Sequence, residues 1–298
     1  QTCALPILDL LIVSINDSKE LTLLVSKIYK SMPVIVLDRA VEGYDYSLYI
    51  GPDNEKIGIQ AGNLVVNLVG KGEGKVLEVQ GVIDSSPVIA RSNGFREVLK
   101  KHDNIVISKT IVSNWQRDEA EDKVTEALKE DKSINVIFAH NDYMALGAYK
   151  AVYKLGLKNI KIIGLDGLSG ENGGLDLVSK GMINGTFTCK TGGDEAVDYA
   201  MDILNKGSDI PKKILLKSDK IMKSNVDEYL NNKSIKLVYN KQLVLGYAQL
   251  MSESKWREAD AKSIKSVAKD AGISLDFREE RYTQEDQKRL IKIGRAHV

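Results

Sequence analysis

Short apolar, β-branched runs alternate along the chain with longer stretches whose apolar residues recur at helical spacing. The runs predict buried parallel strands and the stretches predict amphipathic helices. Strands are expected over 9–15, 33–37, 46–50, 75–80, 105–112, 135–139, 161–167, 183–189 and 213–216. Helices are expected over 18–31, 55–69, 87–101, 116–129, the stretch after Asp142, 170–179 and 194–204. Asn16-Asp17-Ser18 and Asp53 read as N-capping signals, and Pro87 suits a first helical turn. Such regular alternation of strand and helix calls for doubly wound parallel sheets. In open sheets of this kind ligands bind beyond the carboxyl ends of the strands. The runs 135–139 and 161–167 end there on His140-Asn141-Asp142 and on Asp166, and so deliver Asn141 and Asp166 to one rim.

The pattern restarts late in the chain. After a polar linker over 231–242, residues 244–250 read as a fresh opening strand. A helix over 255–271, a strand over 273–277 and the start of a helix over 284–291 follow. Residues 243–292 thus read as the start of a second βαβ repeat. The two ends have a different character. Residues 1–7 match the translation of a common sequencing adapter, and residues 293–298 match its opposite strand. Both are expected to be artefacts flanking a natural segment of 8–292 cut from a longer gene, and are set aside. On that reading Cys3 and His297 drop out and Cys189 is the natural cysteine.

Composition narrows the class. The 298 residues are 43% hydrophobic with a formal charge of +1, enough for a sizeable core in one or two domains. Scattered, balanced charge gives no support to a nucleic-acid partner. No apolar run is long enough for a membrane span. The two cysteines are too few for a disulfide framework.

Chemistry of the nucleophile-and-base kind finds little purchase. There is no G-x-S-x-G elbow, no zinc-spaced Cys/His cluster and no G-x-G-x-x-G opening a helix after a strand. Gly70–Gly74 lacks the G-K-[S/T] ending of a phosphate loop. His140 on the rim reads as a hydrogen-bonding residue rather than a general base. What remains is a set at strand ends: Arg39, Arg91, Trp115, Asn141 and Asp166. Taken singly, the arginines could be surface ion-pair partners, Trp115 a core cap and Asp166 a turn residue. Together they are what a polyhydroxylated ligand needs. Bidentate polar groups match vicinal hydroxyls, and an aromatic face covers the C–H side of a sugar ring.

At these residues the chain resembles the periplasmic sugar-binding proteins of ABC transporters, ribose- and galactofuranose-binding types. The matching text is Val34-Ile35-Val36-Leu37-Asp38-Arg39, Gly51-Pro52-Asp53-Asn54, Glu78-Val79-Gln80-Gly81, Arg91-Ser92-Asn93-Gly94-Phe95, Phe138-Ala139-His140-Asn141-Asp142 and Gly164-Leu165-Asp166-Gly167. The resemblance spans about 9–229. It implies a type I periplasmic-binding-protein fold: two α/β lobes joined by a three-crossover hinge, with the ligand in the cleft. Lobe 1 is then about 8–52 and 190–217, and lobe 2 about 53–189 and 218–230, so that 8–230 is a sugar-binding domain lacking its first βα unit. The resemblance places Asp38, Arg39, Arg91, Asn141 and Asp166 at sugar-contact positions, Trp115 at a stacking position and Cys189 beside them. The text Gly246-Tyr247-Ala248-Gln249-Leu250 through Trp256-Arg257 resembles the opening of a galactofuranose-type binder, with Gln249, Glu253, Trp256 and Arg257 facing the sugar. The tail therefore supplies what the front lacks, and the chain is expected to close as a circular permutant of a tandem parent.

The function implied is non-enzymatic: extracytoplasmic capture of a monosaccharide, in the periplasm or at the cell surface, for an ABC-transporter permease. A membrane sensor fed by the same module and the sugar-binding core of a transcriptional repressor are the alternatives. No cofactor, no metal and no nucleic acid are implied, and a monomer is expected.

Overall fold

A computed structural model describes residues 8–15, 18–206, 210–230, 244–250 and 254–280. The adapter-like ends, the cap residues 16–17, the linker, the helix expected over 284–291 and Glu253 lie outside the described residues. The chain opens with β1 (Leu10–Ser14), α1 (Ser18–Tyr29), β2 (Val34–Leu37), β3 (Leu48–Pro52) and α2 (Asn54–Val69). It continues through β4 (Gly74–Gln80), α3 (Ser86–Leu99), β5 (Ile105–Val112), α4 (Arg117–Glu130), β6 (Val136–Ala139) and α5 (Asp142–Lys154). Then follow β7 (Lys161–Ile163), α6 (Gly174–Ser179), β8 (Gly185–Phe187), α7 (Gly193–Lys206) and β9 (Lys213–Leu216). Last come β10 (Lys220–Met222), α8 (Val226–Leu230), β11 (Val244–Leu250), α9 (Lys255–Asp270) and β12 (Ser274–Glu280).

The described residues divide into two compact units. The first is drawn from 8–52, 191–216 and 244–280, and the second from 53–190 and 217–230. The chain passes between them after Pro52, after Lys190 and after Leu216, and again within 231–243. Each unit holds one six-stranded sheet. The first runs β12-β11-β1-β2-β3-β9 and is parallel throughout. The second runs β10-β8-β7-β6-β4-β5.

The strands are buried because their sequences are apolar on both faces: β1, β2, β3 and β6 expose no residue. In the first unit, Leu10, Ile12, Leu245 and Tyr247 pack under α7 and α9. Leu11, Val13, Val34 and Ala248 pack with Leu21, Val25 and Ile28 of α1 on another face. In the second unit, Leu77, Val79, Ile137 and Ala139 pack with residues of α4 and α5 such as Val124 and Met144. Helices α2 and α3 approach through paired glycines. A Cβ on Gly58 would lie 2.2 Å from the Arg91 carbonyl oxygen, and one on Gly94 would lie 2.1 Å from that of Glu55. This close approach fixes where α3, and hence Arg91, sits.

Several elements differ from expectation. The strand β10 and the helix α8 were not signalled, being only three and five residues long. β10 runs antiparallel to β8, so the second sheet is not wholly parallel. The helix expected from residue 170 begins at Gly174, since Gly170 and Asn172 adopt positive φ of 94° and 61°. β7 stops at Ile163; Asp166, at φ 128°, meets Thr188 in an isolated bridge.

Candidate functional site

In the second unit, β4 connects through α3 to β5 on one side, while β6 lies on its other side. The β4/β6 gap is the switch point of the sheet, where the loops diverge and ligands enter. Arg91, in α3, is buried there. Its Nε donates to Asn54 Oδ1 (2.8 Å), Nη1 to the His140 carbonyl (2.6 Å) and Nη2 to Cys189 Sγ (3.6 Å). The first two acceptors are uncharged carbonyl oxygens, and the Asp142 carboxyl nearby also feels the Arg91 charge.

Beneath it lies a second buried polar group. Glu78 is fully buried in the otherwise apolar run Val76-Leu77-Glu78-Val79 of β4. It accepts from Ser92 Oγ (2.5 Å), His140 Nε2 (3.1 Å), Thr110 Oγ1 (3.2 Å) and Arg96 Nη2. Burial alone would raise its pKa, but the bonds from His140 and Ser92 and the Arg96 charge outweigh it and hold the carboxyl at about 2. Burial pulls His140 below its ordinary value, and Glu78 only partly opposes this. His140 is therefore a neutral imidazole whose Nε2–H donates to Glu78. The rim position expected for His140 is corrected: its side chain is fully buried, ringed by Phe138 and Glu78. The surface ion-pair alternatives for Arg39 and Arg91 fall as well, since both are buried.

Trp115 follows β5 with a left-handed backbone, φ 64°, directly after Asn114 at φ 48°. Its indole lies flat against Gly81, where an added Cβ would come within 2.2 Å of the ring. The Arg91 guanidinium sits 5.6 Å from the ring centroid. The indole N–H is buried and finds no acceptor among the described residues. Asn141 caps α5 by accepting from the Met144 amide (2.7 Å) and directs its amide group at the Trp115 carbonyl (3.5 Å). Asp142 accepts from the Gly167 amide and from Thr186 Oγ1, both at 2.7 Å; burial raises its pKa to about 6. It thereby ties α5 to the Asp166 loop. The Cys189 amide donates to the Asp166 carbonyl (2.9 Å). Arg91, Trp115, Asn141, Asp166 and Cys189 thus fall on one edge of the second unit.

The first unit has its own polar edge, at the β11/β1 switch point. Arg257, in the first turn of α9, donates to the Ile15 carbonyl (2.9 Å) and to Ser14 Oγ, and pairs with Asp38 Oδ2 at 3.3 Å. Asp38 takes φ 70° after β2, and the Arg39 guanidinium lies 4.0 Å from its carboxylate. Trp256 is buried beside Arg257 in that turn. Gln249 is fully buried. Its Oε1 accepts from Tyr247 Oη (2.7 Å) and its Nε2 donates to Glu279 (2.9 Å). Tyr247 Oη also meets Asp260 Oδ2 at 2.8 Å. Burial, with the nearby Asp38 charge, raises the Asp260 pKa to about 7 in spite of Tyr247 and Arg257.

Sequence reasoning missed Asn54, Glu78, Ser92, Asp142, Tyr247 and Asp260 as members of these networks. A signal existed for Glu78, a lone acid in the apolar run Val76-Leu77-Glu78-Val79, which folding tolerates only if the charge is partnered. Among the described residues no cluster of His, Cys, Asp or Glu could hold a metal ion, and no helix is long and apolar enough to cross a membrane.

Residues 7–208 match the sequence model of a family described as "Periplasmic binding protein domain". A xylitol-binding protein of Mycolicibacterium smegmatis is 30% identical over 66% of this chain and 56% of its own. The galactofuranose-binding protein YtfQ of Escherichia coli is 32% identical over 52% and 49%. The chain thus spans about half the length of the curated relatives it matches. Among solved structures, the fructose binding periplasmic domain of a hybrid two component system is 33% identical, with a TM-score of 0.71 over 74% of each chain. A galactofuranose binding protein at 24% identity, TM-score 0.69 over 74% and 78%, shares the fold.

Proposed function

Because the chain belongs to the periplasmic binding protein domain family, we propose that it is an extracytoplasmic, non-enzymatic protein that binds a monosaccharide for uptake by an ABC transporter. The carrying observation is the buried Arg91, held by the Asn54 side-chain oxygen and the His140 carbonyl beside the Trp115 ring, on the edge that also holds Asn141 and Asp166. A guanidinium so held suits the oxygens of a ligand, and the aromatic ring suits the C–H face of a sugar. Cys189 is a further proposed contact on this edge, and the resemblance adds Asp38, Arg39, Gln249, Glu253, Trp256 and Arg257 as proposed ligand contacts. Gln249 already holds Tyr247 through Oε1 and Glu279 through Nε2, which leaves one N–H and one lone pair of its amide for a ligand. The ligand class proposed is ribose, galactose or galactofuranose; the galactofuranose-binding names among the similar proteins support it, and the xylitol and fructose names widen it to related polyols and sugars.

A sensor role is a second reading, favoured by the likeness to a fructose binding domain of a two component system. The coding sequence beside the module separates the two, since a membrane span followed by a kinase marks a sensor.

The binding reading is tested by thermal melts against pentoses and hexoses, furanose forms, fructose and xylitol. A sugar at about 100 times its Kd adds ~2.7 kcal/mol, a rise of roughly 5–10 °C. One sugar should give that rise, and Arg91→Ala should abolish it. A cooperative melt that no sugar moves would sink the proposal.

A further inference from the structure

We infer that Glu78 is a positioning residue for Arg91, acting through two separate arms; the inference rests on the reading of Arg91 as a ligand contact. The first arm fixes the backbone that carries Arg91. Glu78 accepts from Ser92 and from Arg96, the residues one and five positions beyond Arg91 on α3. Ser92 in turn accepts from Gln80 Nε2 at 2.8 Å, so α3 is stitched to β4 at two points of that strand. The second arm fixes the acceptor. Glu78 binds the His140 ring at 3.1 Å, and the His140 carbonyl receives Arg91 Nη1 at 2.6 Å. The His140 amide is already taken by the Val79 carbonyl at 2.9 Å. Ring and amide together leave the residue one orientation, with its carbonyl turned toward Arg91.

One buried carboxylate therefore governs both where the guanidinium starts and what it rests on. The bonds are charge-assisted, the stronger class in a buried setting. Arg91 makes no contact with Glu78 itself, so the effect is on placement. An apolar strand residue at position 78 would pack in β4 but would release Ser92, Arg96 and His140 together.

The test measures Arg91 directly in the full chain. The Arg91 Nε–H signal in nitrogen-15 spectra is assigned by its loss in Arg91→Lys, and its exchange with solvent is timed. Glu78→Gln should speed that exchange roughly tenfold or more, the worth of one charged hydrogen bond, while the melt stays cooperative. His140→Phe, which keeps a ring against Phe138 but removes the donor, should do the same, and His140→Gln should restore slow exchange. Lys109→Ala, which removes a surface ion pair with Glu130 in the same unit, should change nothing. Titration with D-ribose, D-galactose and D-fructose should show weaker binding in the two fast-exchanging variants.

Folded Glu78→Gln and His140→Phe proteins with unchanged Arg91 exchange would overturn the inference. So would fast exchange with undiminished sugar affinity. If Glu78→Gln does not fold, His140→Phe alone decides, since it leaves Glu78 with Ser92, Arg96 and Thr110. If the wild-type chain binds none of the sugars, the binding reading fails instead, and the exchange rates still decide whether Glu78 positions Arg91.

Discussion

The buried acids of this protein pull in opposite directions. Glu78 is surrounded by donors and stays ionised down to about pH 2, so its bonds persist across any ordinary buffer. Asp260 has one hydroxyl partner, Tyr247, and an Oδ1 with no donor among the described residues. Burial therefore wins there, and the folded-state pKa rises from 3.8 to about 7. The folded chain then holds a proton that the unfolded chain gives up near pH 4. Stability must fall as pH rises between those values and level off above the higher one. The limit is roughly 4 kcal/mol at ~1.4 kcal/mol per pH unit, less whatever the site recovers by relaxing. Asp142 acts with the same sign, but its slope ends at about pH 6. Between pH 6 and 7 Asp260 is the acid that lowers stability, against a rise from His140, whose lowered folded value makes stability climb up to its unfolded pKa of ~6.5. Asp260→Asn, which can still meet the Tyr247 hydroxyl, should remove the decline above pH 6 in urea melts and lessen the decline below pH 6, which Asp142 shares. An unchanged slope between pH 6 and 7 would contradict the assignment.

At the scale of elements, β11, α9 and β12 form a segment that the first unit cannot do without. β11 sits between β12 and β1 in parallel register, Leu10 facing Leu245 and Ile12 facing Tyr247. Leu245, Tyr247, Ile264 and Ile273 are buried in the shared core. At ~2 kcal/mol per large apolar side chain, those four alone stabilise by on the order of 8 kcal/mol, comparable with the 5–15 kcal/mol of a whole domain as a rough range. Deleting the chain from Val244 onward should abolish the cooperative melt of the first unit, read by circular dichroism. A truncated protein that still melts sharply there would refute this. The continuous apolar runs made β1, β2, β4 and β6 legible in the sequence, and the fresh run at 244–250 made β11 legible too. β10 was not, because three residues carry no period. The site divided in the same way. Strand-end positions such as Asn141 and Asp166 could be read from periodicity, which reports where a strand stops; the strand-end place expected for Arg91 is corrected, since it lies inside α3. The Glu78–His140 contact could not, because it joins residues 62 apart and periodicity reports burial without naming the partner.

On the scale of the whole molecule, the two units differ in how the chain must assemble them. The switch-point pair of the second sheet, β4 and β6, is joined by contacts such as Glu78 to His140, 62 residues apart within one continuous stretch. The first unit is gathered from three stretches, and its switch-point pair β1 and β11 meets across 235 residues, the separation of Asp9 and Val244. Loop-closure entropy grows slowly with length, ~0.6 kcal/mol per doubling, so the longer closure costs only about 1.2 kcal/mol more. The kinetic consequence is larger than the entropy alone, because folding rate falls steeply as contacts become non-local. The β1/β11 pairing also cannot begin until residues 244–250 are at hand, and the second sheet has no such dependence. Refolding from denaturant should therefore protect amides of β4 and β6 before those of β1 and β11 in pulsed hydrogen exchange. Adding the sugar that shifts the melt should leave the order unchanged, since a ligand of the finished fold acts after both sheets exist. Simultaneous protection of all four strands would mean that the units fold as one cooperative body, and that separation along the chain does not set the order.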